Sequence, residues 1–185
     1  SSTAMNVTSL ASNVQIQETV PSGWQLASAS CTDANGTLTT NGTGTFGSLA
    51  GSTLTIPSAN LVYGADIRCS FTNLKTAQLT LRKTWVNAQV NDAVTITTAG
   101  GSVNPSFASV ANTANETDTS TATAVYVGDT LTFTEPFSTG SASNYNANLA
   151  CTGATDTNLA DGLTINTADS NIVCTYTNSR RTANL

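Results

Sequence analysis

Short runs in which every second residue is apolar, separated by turn-forming residues, constrain this chain more than any other feature of its sequence. Residues 14–20 (VQIQETV), 52–56 (STLTI), 66–72 (DIRCSFT), 79–86 (LTLRKTWV), 93–98 (AVTITT), 122–127 (ATAVYV), 130–135 (TLTFTE), 163–166 (LTIN) and 172–177 (IVCTYT) alternate in this way, with Thr on most outer positions. Period two places successive side chains on opposite faces of an extended strand, and Thr joins high strand propensity to a hydroxyl that tolerates water. The pattern specifies antiparallel sheets with one wet face. Turn chemistry falls between the runs, at Pro21-Ser22-Gly23, Asn35-Gly36, Asn41-Gly42, Gly64-Ala65-Asp66, Gly100-Gly101, Gly128-Asp129 and Asp161-Gly162. No ten-residue segment carries a helical stripe, so the expected fold is all-β, built from sandwich domains.

The alternating segments repeat. The stretch from VQIQETVPSGW through LTIPSANLVYGADIRCSFTNLKTAQL corresponds to the later one from LTFTEPFSTG through LTINTADSNIVCTYTNSRRTANL. Glu18 aligns with Glu135, Cys31 with Cys151, the LTI of 54–56 with that of 163–165, Cys69 with Cys174, and Asn73 with Asn178. The copies are unequal: counting from Gln78, 57 residues of the second copy precede Glu135, whereas 17 precede Glu18. The expected organisation is a partial β-sandwich repeat over 1–77, lacking its first strands, and a complete one over 78–185. A sandwich without those strands exposes core and sheet edge, an invitation to pairing with another chain. Thr182-Ala183-Asn184-Leu185 matches Thr76-Ala77-Gln78-Leu79, the register of a repeating array.

Composition excludes several functions. Only 9% of residues are charged and six are Lys or Arg, too few and too scattered to neutralise a phosphate backbone, so no nucleic-acid partner is expected. The absence of His removes Ser-His-Asp and Cys-His nucleophile pairs and imidazole metal ligands, and no enzymatic activity is expected. Apolar runs reach only a few residues, short of a membrane span, and residues 1–25 lack a signal-peptide pattern. The expectation is a soluble chain without membrane insertion, either a mature secreted protein or a piece of a longer one. Of the carboxylate pairs, Glu116/Asp118 and Asp156/Asp161 read as solvated loop residues rather than a general acid and base. No Asp-x-Asp-x-Asp-Gly spacing is present, so neither metal nor cofactor is expected. Matches to the N-glycosylation pattern at Asn6, Asn35, Asn41 and Asn115 arise readily in a Thr-rich chain.

Each repeat holds two cysteines. Of the three possible connectivities, Cys31–Cys69 with Cys151–Cys174 is the one that keeps every bridge inside a repeat. Oxidised cysteines imply an extracellular or periplasmic compartment; the competing reading is four buried free thiols.

Phase counting reveals three polar residues on apolar strand faces. Lys83 shares a face with Leu79, Leu81 and Trp85; Glu135 with Leu131 and Phe133; Asn178 with Cys174 and Tyr176. Each is costly to bury alone, so the three are expected to meet. Burial favours the neutral amine, and a neutral amine beside a carboxamide and a carboxyl group is set up for amide exchange. The product is a Lys83–Asn178 isopeptide with loss of ammonia, Glu135 acting as proton shuttle. The alternative is a buried Lys–Glu ion pair hydrogen-bonded to Asn.

The first-strand Lys (LTLRKTW), the Glu segment ETVPSGW and the closing CTYTN resemble the CnaB/SpaA-type, prealbumin-like (Ig-like) domains of bacterial surface proteins and pilins. That resemblance implies a spontaneous intramolecular isopeptide and a role as a stalk module. It covers 78–178 as a complete domain and about 14–73 as a partial one. The second copy departs from the Glu motif, reading EPFSTGSASNY, and the paired cysteines are similar instead to repetitive surface proteins of Gram-negative bacteria. The first copy supplies Glu18 and Asn73 but no first-strand Lys.

The expectation is therefore a structural subunit or stalk segment of a bacterial extracellular filament. Its partners would be copies of itself joined head to tail by strand donation, or neighbouring repeats of a longer chain. The rival is a ligand- or carbohydrate-binding adhesin module, for which Trp24, Trp85, Tyr63, Tyr126 and Tyr145 are the candidate aromatic contacts.

Overall fold

The computed structural model describes residues 6–38 and 44–182. The Asn41-Gly42 turn and the closing residues 183–185 lie outside the described residues. The chain divides into two compact units, Ser1–Leu74 and Lys75–Leu185. Both this division and the repeat boundary after residue 77 fall inside one strand.

The first unit contains β1 (Val14–Gln17), β2 (Trp24–Asp33), β3 (Ser48–Ala50), β4 (Thr53–Ile56) and the front of β5 (Ile67–Val86). β4 is the middle of the antiparallel sheet β1-β4-β3, with Ile16 and Leu49 both opposite Leu54. β2 borders β5. Cys31, Leu54, Ile56 and Leu61 are buried in this unit's core, while Val14, Ile16, Phe46, Ile67, Cys69 and Phe71 packed against them stay partly exposed.

The segments 66–72 and 79–86, expected as separate strands, form the single strand β5. The intervening NLKTAQ has no Gly or Pro to break it, and the less exposed positions from Ile67 to Asn73 and from Ala77 to Trp85 are all odd-numbered.

The second unit continues with β6 (Ala93–Ala99), β7 (Ser106–Val110), β8 (Glu116–Thr119), β9 (Thr123–Tyr126), β10 (Thr130–Thr134), β11 (Phe137–Thr139), β12 (Tyr145–Thr152), β13 (Leu163–Thr164) and β14 (Asn171–Arg180). One sheet carries β12 and β14 on one side of β5, with β8 and β9 also paired to β5. The other has the order β11-β6-β10-β13, with β7 on β6. Leu79, Leu81, Val125 and Ile172 of the first sheet meet Ile96, Leu131 and Leu163 of the second in one core, which makes this unit a sandwich. A second cluster joins Trp85, Val94, Ala111 and Tyr145, with Phe137 against them. Trp85 contacts both Phe137 and Tyr145 edge-on.

Helix is confined, among the described residues, to two three-residue 3-10 turns at Ser58–Asn60 and Ala142–Asn144. Strands β2, β3, β7, β8 and β11 carry too little apolar alternation to stand out in the sequence; β12 does alternate, with Tyr145, Ala147, Leu149 and Cys151 on one phase, yet lies outside the expected runs. β8 (ETDT) has no apolar residue at all and is held by its ladder to β5.

Candidate functional site

The second unit brings Lys83, Glu135 and Asn178 toward one another through two pairings. β14 runs parallel to β5, with Cys174 opposite Leu81, Tyr176 opposite Lys83, and Asn178 opposite Trp85. Lys83 and Asn178 thus lie one diagonal step apart on the same face. Glu135 enters from the other sheet, between β10 and β11. Both strands pair with β6, and Pro136, which has no N–H to give, interrupts the ladder between them. Its carbonyl still accepts a hydrogen bond from the Thr95 N–H at 3.0 Å, which pins the interruption.

Lys83 and Asn178 are fully buried, and the Glu135 side chain is 5% exposed. Lys83 Nζ lies 2.8 Å from Glu135 Oε1. The contact has ion-pair distance but lacks hydrogen-bond alignment, leaving both atoms without a well-aligned partner. Nζ also sits 4.3 Å from the centroid of the Trp85 ring, whose negative face attracts it. Burial pulls the Lys83 ammonium below the ordinary lysine range, and Glu135 only partly offsets this. Burial and the Glu135 charge push the neighbouring Tyr176 phenol up. Neither the Nδ2 nor the Oδ1 of Asn178 has a hydrogen-bond partner, an expensive condition for a buried carboxamide.

The first unit holds the matching positions without the lysine. Glu18 follows β1 as Glu135 follows β10, and the Glu18 N–H donates to Ser52 O at 2.9 Å. Asn73 Nδ2 donates to Glu18 Oε1 at 2.8 Å. Glu18 Oε2 and Asn73 Oδ1 are buried and unpartnered. The chain has two lysines, Lys75 and Lys83; Lys75 donates to the carbonyl of Thr167.

Both cysteine pairs form disulfides, Cys31–Cys69 and Cys151–Cys174. Cys151 and Cys174 face each other across the β12–β14 ladder, four residues before Asn178, and Cys69 stands at the same distance from Asn73.

The remaining candidates take structural places. Glu116 and Asp118, expected in a loop, belong to β8. Glu116 accepts the N–H groups of Asn112 and Thr113, and Asp118 accepts the Ser109 hydroxyl at 2.6 Å, while Ser109 itself accepts the Trp85 indole N–H. Asp156 caps its loop by accepting the N–H groups of Asn158 and Thr164. Trp85 and Tyr145 are core residues, whereas Trp24 is 44% and Tyr63 94% exposed. The sequence offered no signal for the buried contact in which Tyr145 donates to Asp92 at 2.5 Å, because its members lie 53 residues apart. Among the described residues no cluster of His, Cys, Asp and Glu is arranged to hold a metal ion.

Residues 1–75 match the family model SpaA_4, described as a prealbumin-like fold domain. The likeness to SpaA-type domains thus holds over the segment carrying Glu18, the Cys31–Cys69 bridge and Asn73. Comparison with curated proteins and with solved structures gives no match.

Proposed function

We propose that this chain is a structural module of a bacterial extracellular filament or surface fibre, in which units join head to tail by strand complementation. The observation that carries this reading is the difference in sheet edges. β10, the counterpart of β1, is paired on both sides, by β6 and β13, whereas β1 pairs among the described residues with β4 alone. Val14 and Ile16 on that strand stay partly exposed, as an inner face does when its neighbouring strand is absent. The SpaA_4 match over the same segment supports a pilin or surface-protein module. The two disulfides fit an oxidising, extracellular setting. Among the described residues no helix is long and apolar enough to cross a membrane.

The second unit hardens itself in this reading. The neutral Lys83 amine attacks the Asn178 Cγ, Glu135 takes a proton from Nζ and returns it to Nδ2, and ammonia leaves as the amide closes. The low-dielectric pocket favours each neutral species. Intact mass of the folded chain tests the step: a deficit of about 17 Da beyond the disulfides is expected, and its absence leaves the buried ion pair.

Size-exclusion chromatography and electron microscopy test assembly. Filaments or a ladder of oligomers are expected, and a strictly monomeric, well-folded chain overturns strand complementation. The exposure of Trp24 and Tyr63 favours a second reading, a ligand- or carbohydrate-binding adhesin module. Glycan-array binding lost on Trp24→Ala would carry it.

A further inference from the structure

A cleft in the flank of the second unit gathers groups that the cross-link chemistry does not use. β7 and β8 follow one another in the chain but belong to different sheets, β7 pairing with β6 and β8 with β5. Between them lies a cavity of about 410 Å³, within the range of small-ligand sites, lined by Phe107, Ser109, Val110, Asn112, Asp118 and Thr119. Strand period explains which side chains reach inward. Phe107 and Ser109 stand opposite the core residues Ile96 and Val94, and Asp118 stands opposite Lys83. The Trp85 indole N–H donates to Ser109 Oγ at 2.8 Å, and the Ser109 hydroxyl donates to Asp118 Oδ2 at 2.6 Å. This chain of hydrogen bonds fixes the carboxylate from behind, through a buried serine, and leaves Oδ1 unspent. Asp118 forms no ion pair among the described residues, since Lys83, its neighbour across the ladder, places its Nζ beside Glu135.

We infer that this cleft binds a sugar carrying a free amino group, its ammonium paired with Asp118 and its ring against Phe107. The occupant is a polysaccharide with unacylated amines. The inference concerns the second unit alone and needs neither strand complementation nor the cross-link. Trp24 and Tyr63, the aromatic residues of the ligand-binding reading above, lie in the first unit.

The lining selects this chemistry. A carboxylate held in place without a cation attracts an ammonium and repels an acidic sugar, and a hydrogen bond between charged groups is about twice as strong as a neutral one. Phe107 packs on the core yet stays partly exposed, offering an apolar ring to the C–H face of a sugar. Asn112 is held at the rim by its own N–H, which Glu116 accepts, and by its Nδ2, which donates to Val110 O. Its Oδ1 and the Thr119 hydroxyl have no hydrogen-bond partner among the described residues and can serve ring hydroxyls. A lysine side chain would answer Asp118 and leave those two groups unused.

Isothermal titration of the full chain with a glucosamine tetramer, its N-acetylated counterpart and a glucose tetramer tests the pairing. The glucosamine tetramer should bind at least about tenfold more tightly than the other two, the difference expected for one charge-assisted hydrogen bond. Asp118→Asn keeps an acceptor for Ser109 and should abolish the preference. In a Trp24→Phe chain Trp85 is the only tryptophan left, and its emission should shift on binding because its N–H reaches Asp118 through Ser109. Equal affinities for the three tetramers, or no binding, overturn the ammonium–carboxylate pairing. Binding that survives Asp118→Asn and falls with Trp24→Ala overturns the cleft and favours the exposed aromatics of the first unit. A lysine tetramer that binds as tightly as the glucosamine tetramer overturns the sugar and makes the occupant a basic peptide.

Discussion

In Lys75–Leu185 the buried carboxylate of Glu135 meets Lys83, and the Asn178 carboxamide has no hydrogen bond; in Ser1–Leu74 the carboxylate of Glu18 has no lysine and takes the Asn73 carboxamide instead. The same two residue types, at corresponding places in the repeat, settle into different contacts according to whether a lysine is present. Burial follows the same division. The second unit's two sheets close over a core of fully buried aliphatic side chains, while many of the first unit's core residues are only partly buried. A carboxylate that lacks a cation lowers its energy by accepting whichever donor is near, and Asn73 is that donor.

The largest expected break in this comparison comes from truncating the lysine. Lys83→Ala strands Glu135 in the core, and removing one partner of a buried pair costs about 3–5 kcal/mol. Glu18→Ala in the first unit removes a partly buried hydrogen bond and should cost about 1 kcal/mol. Denaturant titration, with hydrogen exchange assigning each transition to its unit, checks the ratio. Equal losses would mean the two carboxylates play the same part.

Next in size are the disulfides. Closing loops of 38 and 23 residues stabilises by about 3–4 kcal/mol each in the chain-entropy model. Because the first unit's core is less completely buried than the second's, reduction should melt the first unit while the second keeps slow amide exchange. Simultaneous loss of protection in both would erase the contrast.

The smallest effect concerns pH. Burial holds a free Lys83 below its ordinary value of 10.5, so from that lowered point up to 10.5 the unfolded chain binds more protons than the folded one. Stability therefore rises with pH through this window wherever the lysine is free. In Asn178→Ala, which leaves Lys83 without an acyl partner, the denaturation midpoint should climb as pH approaches 10.5. If the proposed amide forms in the native chain, its midpoint should stay level. A native profile that climbs like the variant's would mean the amide does not form.

Much of this was legible in the residues. Alternation located parts of β1, β4, β5, β6, β9, β10, β13 and β14, because a strand with one face in the core and one in water must write that difference into its side chains. Phase counting put Lys83 and Asn178 on the core side. Apart from β12, the strands that escaped are those whose side chains carry little such difference. β2 (WQLASASCTD) alternates only the small residues Ala and Ser through its middle, a weak contrast, and β8 presents only Glu, Thr and Asp. They are strands because neighbours offer them hydrogen bonds, and a neighbour is not a local property of sequence. Glu116 and Asp118 read as loop residues for the same reason.

Sequence by itself determined the period, the unequal repeat, the number of cysteines and the absence of a lysine from the first unit, since each is a matter of composition and spacing. Tertiary structure alone decided that β14 lies parallel to β5, which sets Lys83 beside Tyr176 and one step from Asn178. It also decided that Glu18 closes on Asn73 when no lysine comes. Local chemistry chooses which face of a strand a residue occupies; only the pairing of distant strands chooses what waits for it there.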